Sequence, residues 1–357
     1  MSEFKLLVMP GDGIGPEITD ATLEVLRHAD RQFGLQLELD VQDVGYASLR
    51  KIGNTVPEAL IEKGRNAHGI VLGPCDTFGY PALEDGGVNP SSTFRKTFDL
   101  YANIRPSRAV KGVDALAPRT DLVIVRENTE GFYADRNMFA GSGEFMPTAD
   151  VALAMRKITA QSSRRIARAA CELAMQRSKR LTIVTKANVL KLTDGLFLRE
   201  AQAVAAEFPA ITVDHELVDA MASHLVRTPA RFDVIVTTNM FGDILSNLAS
   251  EMAGGLGLAG SLNAGDQFAM AQATHGSAND IAGQGIANPA SLMLSVAMLL
   301  NWLADRHRRE SLLIAAKAIE SAVCTTIGSP ATQTKDLGGK LSTREFAARV
   351  CERIRAS

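Results

Sequence analysis

The stretch Asp233–Asn247 (DVIVTTNMFGDILSN) joins a short apolar run to a segment with helical spacing and carries two oxygen-bearing side chains. Val234–Val236 predicts a buried strand, because short runs of β-branched residues are typical of strands covered on both faces. Asp243 and Asn247 are four residues apart, so a helix places them on one face. Such oxygen donors suit a hard divalent cation, Mg²⁺ or Mn²⁺. An ordinary solvated helix start could carry the same two residues. Taken alone, this stretch favours that interpretation, and the metal site gains support only from other segments of the chain.

Three arginines are candidates for binding carboxylates. Arg95 follows a long loop (74–90) that is rich in Gly, Pro and Asp, and Arg105 and Arg126 are predicted at the ends of elements. A guanidinium group binds a carboxylate through two parallel hydrogen bonds. A single arginine of this kind would be interpreted as the partner of a surface acid. Three at element ends favour an anionic substrate.

Lys186 follows the predicted strand Leu181–Val184 almost directly. A lysine at a strand end within a largely apolar segment is a candidate general base. The alternative, an exposed loop lysine with no catalytic role, is the commoner situation.

The order of the predicted elements indicates an α/β fold. Phe4–Met9 predicts a strand, a glycine-rich turn follows, and Pro16 suits the first turn of a helix. The turn reads GDGIG and lacks the GxGxxG spacing, so it predicts a tight turn of permissive glycines rather than a dinucleotide-binding fingerprint. Further strands are predicted at 69–73, 122–125, 181–184 and 211–213, and helices at 161–175, 290–303, 310–323 and 342–353.

Length and composition narrow the class of protein. A chain of 357 residues predicts about two domains. The net charge of −2 argues against nucleic acid or an anionic membrane as a partner. The four cysteines have no metal-binding spacing, and no signal peptide or membrane-length apolar run is found. These features predict a cytoplasmic globular enzyme.

Taken together, the motifs resemble those of the β-decarboxylating 2-hydroxyacid dehydrogenases, which act on isocitrate, homoisocitrate, isopropylmalate, tartrate or D-malate. Seven segments carry the resemblance in one order along the chain: PGDGIGPE (10–17), FRKTFDLYANIRP (94–106), VRENTEGFY (125–133), TKANVL (185–190), VDAMASHLV (218–226), TTNMFGDILSN (237–247) and HGSANDIAGQGIANP (275–289).

The resemblance implies a two-domain α/β fold with the active site in the interdomain cleft. Residues 1–100 plus 254–357 would form a discontinuous large, cofactor-binding domain, and residues 101–253 a small domain for dimerisation, metal and substrate. It also implies a homodimer with shared active sites, in which Lys186 and Asp219 reach the site of the neighbouring subunit.

The resemblance further implies oxidation of a hydroxy acid by hydride transfer, followed by loss of CO₂. Lys186 would be the base and Tyr133 the acid. The implied metal ligands for Mg²⁺ or Mn²⁺ are Asp219, Asp243 and Asn247. The implied substrate-binding residues are Ser91, Ser92, Arg95, Arg105 and Arg126.

NAD is the cofactor that the resemblance favours. Asp280 stands where NAD-specific members have an acid that binds the ribose hydroxyls, and a carboxylate there would repel a 2′-phosphate. The implied cofactor-binding residues are His275, Gly276, Ser277, Ala278, Asp280, Ile281 and Asn288.

Three positions depart from the family pattern. Asn247 stands where a second Asp is usual, Gln272 where Glu is usual, and Asn279 where Pro is usual. An amide still ligates a metal but brings no charge, and loss of the proline is expected to loosen the adenosine loop.

The residues that set substrate choice are polar, at 89–92 (Asn-Pro-Ser-Ser). A polar substituent on the substrate fits them better than an isopropyl group, so isocitrate or homoisocitrate leads. Isopropylmalate and tartrate or D-malate are alternatives. A catalytically impaired, binding-only relative is a remote one.

Overall fold

The computed structural model describes residues 4–133, 138 and 141–354 of the chain. Within these residues the chain alternates strands and helices, which confirms the predicted α/β fold. The strands are β1 (Phe4–Met9), β2 (Leu37–Val41), β3 (Gly69–Leu72), β4 (Ala102–Arg108), β5 (Asp121–Glu127), β6 (Glu144–Thr148), β7 (Val151–Ala154), β8 (Arg180–Thr185), β9 (Thr212–Leu217), β10 (Val234–Thr237), β11 (Leu262–Ala264) and β12 (Ala269–Gln272).

The helices are α1 (Gly15–Phe33), α2 (Tyr46–Ile52), α3 (Glu58–Arg65), α4 (Pro90–Thr97), α5 (Ala160–Met175), α6 (Thr193–Ala205), α7 (Val218–Arg227), α8 (Asn239–Ala253), α9 (Ala290–His307), α10 (Glu310–Ile327) and α11 (Thr343–Arg353). Short 3₁₀ turns lie at Leu83–Asp85, Pro229–Arg231, Leu256–Leu258, Asn279–Ile281, Pro330–Thr332 and Lys335–Leu337. No helix of the described ranges combines the length and the hydrophobicity that a membrane crossing requires.

The chain forms two compact units. The first comprises Met1–Phe98, Val110–Ala115 and Gly254–Ser357, and the second comprises Asp99–Ala109 and Leu116–Ala253.

The first unit contains strands in the order β2-β1-β3-β12-β11, all parallel except the pair β11–β12. Its core lies between this sheet and the helices α1, α9, α10 and α11. Helix α1 buries Ile18, Leu23, Val25 and Leu26, as its apolar spacing predicts. Helix α11 begins with a capping box, in which Ser342 and Glu345 bond to each other's backbone N–H groups.

The second unit contains strands in the order β4-β5-β10-β8-β9, with β4 antiparallel to β5 and the rest parallel. Alternate residues of β5 enter two different cores. Val123 and Val125 pack with α5 and α6, whereas Leu122 and Ile124 pack with α7 and α8. Helices therefore cover both faces, which explains why these strands are continuous apolar runs.

A separate antiparallel hairpin, β6–β7, also belongs to the second unit. All of its residues are exposed, including the large apolar side chains of Phe145, Met146, Val151 and Leu153.

Candidate active site

The parallel strands of the second unit bring three predicted segments to one edge of its sheet. Arg126 is the penultimate residue of β5, Lys186 follows β8, and α8 begins two residues after β10. Because β5, β10 and β8 are parallel neighbours, their carboxyl ends lie at the same edge. In α/β sheets this edge is where ligands bind.

Asp243 is the centre of a charged cluster at this edge. Its Oδ1 accepts hydrogen bonds from Nη1 of Arg105 (2.9 Å) and from Nη1 of Arg126. Its Oδ2 accepts a hydrogen bond from the hydroxyl of Tyr133 (2.7 Å). Two of the predicted substrate-binding arginines, the predicted acid and a predicted metal ligand thus contact one another.

Both arginines are buried and held at more than one atom. Arg105 also donates from Nη1 to Ser246 Oγ (2.8 Å) and from Nε to Asn103 Oδ1, and Arg126 donates from Nε to Asn239 Oδ1 (2.8 Å). Burial, reinforced by the neighbouring charge of Arg126, lowers the pKa of Arg105 to about 10, against the opposing effect of Asp243. Two guanidinium groups fixed side by side therefore depend on anionic partners.

Gly242 allows α8 to approach β5 closely. A Cβ atom at this position would lie 2.6 Å from Cβ of Arg126, which is shorter than any real contact. The glycine of the FGD segment is therefore required for Asp243 to reach the arginines.

Arg105 was predicted at an element end, and this prediction is wrong. It lies in the middle of β4, where it alternates with residues of the opposite face. The strand extends to Arg108 because it pairs along its whole length with β5, a long-range interaction that the local sequence does not reveal.

Lys186 and Asp219 form a direct pair. Nζ of Lys186 donates to Oδ1 of Asp219 at 2.7 Å, and this hydrogen bond lowers the pKa of the Asp219 carboxyl. The two residues that the resemblance assigns to a neighbouring subunit therefore lie together. Asn247 lies one turn beyond Asp243 on α8, as predicted.

The oxygen donors of Asp243 and Asn247 suit a hard cation, but further ligands are needed to complete such a site. Within the described ranges, no group of three or more His, Cys, Asp and Glu side chains is arranged to hold a metal ion. Asp243 and Asn247 supply oxygen atoms on one face of α8, and Asp219 is bound to Lys186. Oxygen donors of this type are those that Mg²⁺ and Mn²⁺ prefer.

In the first unit, Gln272 connects two of the predicted substrate-binding residues. Its Oε1 accepts hydrogen bonds from Ser91 Oγ (3.1 Å) and from Arg95 Nη2 (3.1 Å). Asn89 caps α4 by accepting a hydrogen bond from the backbone N–H of Ser92 (3.1 Å). The amide at 272 therefore orients Arg95 without neutralising its charge.

The glycine turn GDGIG supports the loop that carries the predicted cofactor-binding residues. Gly13 has a φ of 59°, and a Cβ atom there would lie 2.0 Å from the backbone oxygen of Ser277. The Ser277 oxygen also accepts a hydrogen bond from the N–H of Ile14 (2.8 Å). The turn is the tight glycine turn that was predicted, and it packs against the HGSA segment.

The structure places the other predicted cofactor-binding residues on this loop and just after it. His275 contacts the backbone oxygen of Gly276 (3.0 Å), and burial lowers the pKa of its imidazole. Ala278 adopts a left-handed conformation ahead of the 3₁₀ turn that contains Asp280 and Ile281. Asn288 bonds to other segments: its side chain donates to Asp336 (3.0 Å) and accepts from the backbone N–H of Ala290.

Asn279, which stands where the family pattern has a proline, forms a side-chain hydrogen bond. Its Nδ2 donates to Oδ2 of Asp76 at 2.7 Å, which connects the loop at 275–281 to the segment after β3. This bond restrains the loop at one point, and the looser loop expected from loss of the proline stays a prediction.

Sequence reasoning overlooked several residues that organise these clusters. Gln272 was noted only as a lost acid, and Ser246, Asn103 and Asn239 were not singled out. A serine three residues after Asp243 on the same helical face was an available signal for Ser246. The bonds of Gln272 span more than 170 residues of sequence, and local patterns do not report such contacts.

Comparison with known proteins agrees with these features. A family profile described as "Isocitrate/isopropylmalate dehydrogenase" matches residues 5–350. The isocitrate/homoisocitrate dehydrogenase of Thermus thermophilus is 41% identical over 355 residues, which cover 99% of each chain. The 3-isopropylmalate dehydrogenase of Archaeoglobus fulgidus is 40% identical over 347 residues, which cover 97% of this chain and 98% of that one.

A crystal structure of isocitrate dehydrogenase from Methylococcus capsulatus matches with a TM-score of 0.87 and 38% identity, over 99% of this chain and all of that one. With the profile and the relatives covering almost the whole chain, the protein belongs to the isocitrate/isopropylmalate dehydrogenase family and is a dehydrogenase.

Proposed function

We propose that the protein is an NAD-dependent and divalent-metal-dependent dehydrogenase that oxidises and decarboxylates a 3-carboxy-2-hydroxy acid. The observation that carries this proposal is the cluster of Arg105, Arg126, Tyr133 and Asp243, which joins two carboxylate-binding groups, a proton donor and a metal-binding oxygen. We assign cofactor binding to the first unit, which also carries the proposed substrate-binding residues Ser91, Ser92 and Arg95, and the rest of substrate binding, metal binding and dimerisation to the second.

In the proposed reaction, Arg105 and Arg126 bind and orient the substrate carboxylates. Lys186 of the partner subunit takes the proton of the C2 hydroxyl while the hydride leaves C2, so that the alcohol becomes a ketone. The C3 carboxylate leaves as CO₂, and its bonding electrons form an enolate. Tyr133 then gives a proton to C3. The direct contact of Tyr133 with Asp243 supports its place beside the reacting carbon.

Asp243 and Asn247 of one subunit, with Asp219 of the partner subunit, would hold Mg²⁺ or Mn²⁺. When bound, the metal supplies Lewis-acid stabilisation of negative charge on substrate oxygens, and NAD supplies the hydride acceptor. Asp280 and the loop at 275–281 would bind the adenosine half of NAD.

Isocitrate or homoisocitrate is the leading substrate. The hydroxyl of Ser91 and the amide of Gln272 contact each other beside Arg95, so this part of α4 and β12 presents polar groups. An isopropyl group would gain little from burial against such polar groups, whereas a polar substituent could form hydrogen bonds with them. Isopropylmalate is the alternative that the naming of several relatives favours. Tartrate and D-malate also stay open as substrates.

Two observations support a homodimer with shared active sites. Hairpin β6–β7 exposes apolar side chains that a second copy would cover. Lys186 and Asp219 contact each other, so both would enter the partner's site together.

We also propose a cytoplasmic location. The cysteines Cys75, Cys171 and Cys351 form no disulfide bond, which suits a reducing compartment.

The first test is NAD⁺ reduction in the presence of Mn²⁺ with isocitrate, homoisocitrate, 3-isopropylmalate, D-malate and tartrate isomers. We expect the highest kcat/KM for isocitrate or homoisocitrate. If 3-isopropylmalate gives the highest kcat/KM, the argument from the polar groups of Ser91 and Gln272 is wrong. Absence of turnover with every compound, while NAD still binds, would support an impaired relative.

The second test uses two inactive variants, Lys186→Met and Tyr133→Phe. If sites are shared, subunits mixed and reassociated form hybrids in which one site is intact, and about a quarter of the parental activity returns. If each subunit has a complete site of its own, every site in the hybrid has one lesion and no activity returns.

A further inference from the structure

Arg156 is a buried cation that sequence reasoning did not single out. It lies two residues after β7, and its side chain is only 6% exposed. Its Nη1 forms an ion pair with Oδ1 of Asp194 and donates to Thr193 Oγ1 (3.2 Å). Its Nη2 donates to Thr238 Oγ1 (3.1 Å). One guanidinium group therefore joins the start of α6 to the segment between β10 and α8.

Two aromatic rings flank the same group. The Cζ atom of Arg156 lies 5.3 Å from the ring centre of Phe132 and 5.1 Å from that of Phe241. Both distances are within the range of cation–π attraction. The arginine is thus held by an ion pair, two hydroxyls and two rings.

Four of these partners are linked to a residue of the proposed reaction. Phe132 precedes Tyr133, and Thr238 and Phe241 lie five and two residues before Asp243. Asp194 is fully buried, and its Oδ2 accepts a hydrogen bond from the backbone N–H of Lys186.

We propose that Arg156 is a positioning residue, which holds Lys186 for the partner's site and Tyr133 and Asp243 for the site of its own subunit. The inference rests on the proposed function for the roles of those three residues. Stability alone is a weak explanation, because burying an ion pair costs about as much as it returns and apolar residues of similar volume would serve as well. A planar, charged group that reaches three segments at once gives defined geometry instead.

The test compares Arg156→Lys and Arg156→Gln with the same substitutions at Arg177. Arg177 is a matched control, since it pairs with the buried Asp233 (2.7 Å) in the same unit but at the amino-terminal end of β10. At a temperature well below unfolding, we expect kcat of Arg156→Gln to fall by about 10- to 100-fold, with the KM for NAD unchanged. The kcat of Arg156→Lys should fall by less, and the Arg177 variants should keep the parental kcat. Equal kcat losses at the two positions would overturn the proposal.

Hydrogen exchange provides a readout that needs no activity. The N–H of Lys186 should exchange faster in the Arg156 variants, because Asp194 is no longer oriented, and at the parental rate in the Arg177 variants. Equal rates in all variants would overturn the proposal even if the parent proved inactive on the substrate panel, an outcome that would refute the proposed function separately. If Arg156→Gln does not fold, Thr238→Val removes one acceptor of Arg156, and the same two measurements apply to it.

Discussion

The buried carboxyl of Glu130 should make the protein less stable as the pH rises. Substitution by the amide, Glu130→Gln, should remove this effect. Its side chain is buried, and its carboxylate accepts hydrogen bonds from the N–H (2.8 Å) and the hydroxyl (2.9 Å) of Thr159. Burial raises the pKa of Glu130 from 4.5 to about 7, with a further rise from Glu127, although the Thr159 hydrogen bonds oppose it.

The sign of the effect follows from where the proton is bound. Between pH 4.5 and about 7 the folded protein keeps a proton that the unfolded chain releases. The free energy of unfolding therefore decreases as the pH rises through this window. The stabilisation that the protonated Glu130 carboxyl gives is complete below pH 4.5 and is lost above about pH 7. At about 1.4 kcal/mol for each unit of pKa, the whole change is about 3 to 4 kcal/mol, of which about 2 to 3 kcal/mol lies between pH 5 and pH 8.5.

The assay is thermal unfolding of the parent and of Glu130→Gln at about pH 5 and about pH 8.5. The amide resembles the neutral acid, so the two proteins should melt at similar temperatures at the lower pH. At the higher pH the variant should be more stable, by roughly 5 °C in Tm.

Glu345→Gln is the control. The hydrogen bonds of Ser342 lower the pKa of the Glu345 carboxyl, so its contribution is lost only when the pH falls below its ordinary range. The difference between this variant and the parent should therefore be constant across the assay. If the difference for Glu130→Gln is constant as well, the reasoning about its burial is refuted.

Three further predictions concern ligand binding. Gln272→Ala removes the acceptor that orients Arg95, so the KM for the hydroxy acid should rise about fivefold with that for NAD unchanged; an unaltered KM would contradict a role of Gln272 in orienting Arg95. Asn279→Ala removes the hydrogen bond to Asp76 and should raise the KM for NAD roughly fivefold, and a change confined to the KM for the hydroxy acid would contradict this. Asn247→Asp should lower the Mn²⁺ concentration for half-maximal activity by about tenfold, because it adds a charged ligand, and an unchanged requirement would exclude residue 247 as a ligand.

The central strands were predictable because burial on both faces makes them continuous apolar runs. β1 has the predicted bounds, and β3, β5, β8 and β10 differ from their predicted bounds by at most two residues at an end. β5 is the instructive case, since its apolar part ends at Val125 but pairing with β4 continues to Glu127. The polar end residues belong to the strand through their partner, and their own sequence does not indicate it.

Other features depend on long-range contacts and were not predictable. The hairpin β6–β7 has apolar and polar residues that are all exposed, so it lacks the alternation between a buried and a solvated face that identifies a strand. The proposed roles of Arg156 and Gln272 depend on partners that are far away in the sequence, so local patterns do not reveal them. The identities of the site residues were suggested by motifs, whereas their mutual contacts required the fold.

The close contact of Gly242 with Arg126 has a consequence for how this enzyme can diversify. A side chain at 242 would separate α8 from β5, so substitutions there should disrupt the cluster of Arg105, Arg126, Tyr133 and Asp243. Ser91 and Gln272 belong to the other unit, outside this contact. If they select the substrate as proposed, mutations at these two positions should alter substrate preference and leave the cluster intact, so libraries for new hydroxy acids should randomise them and spare 242.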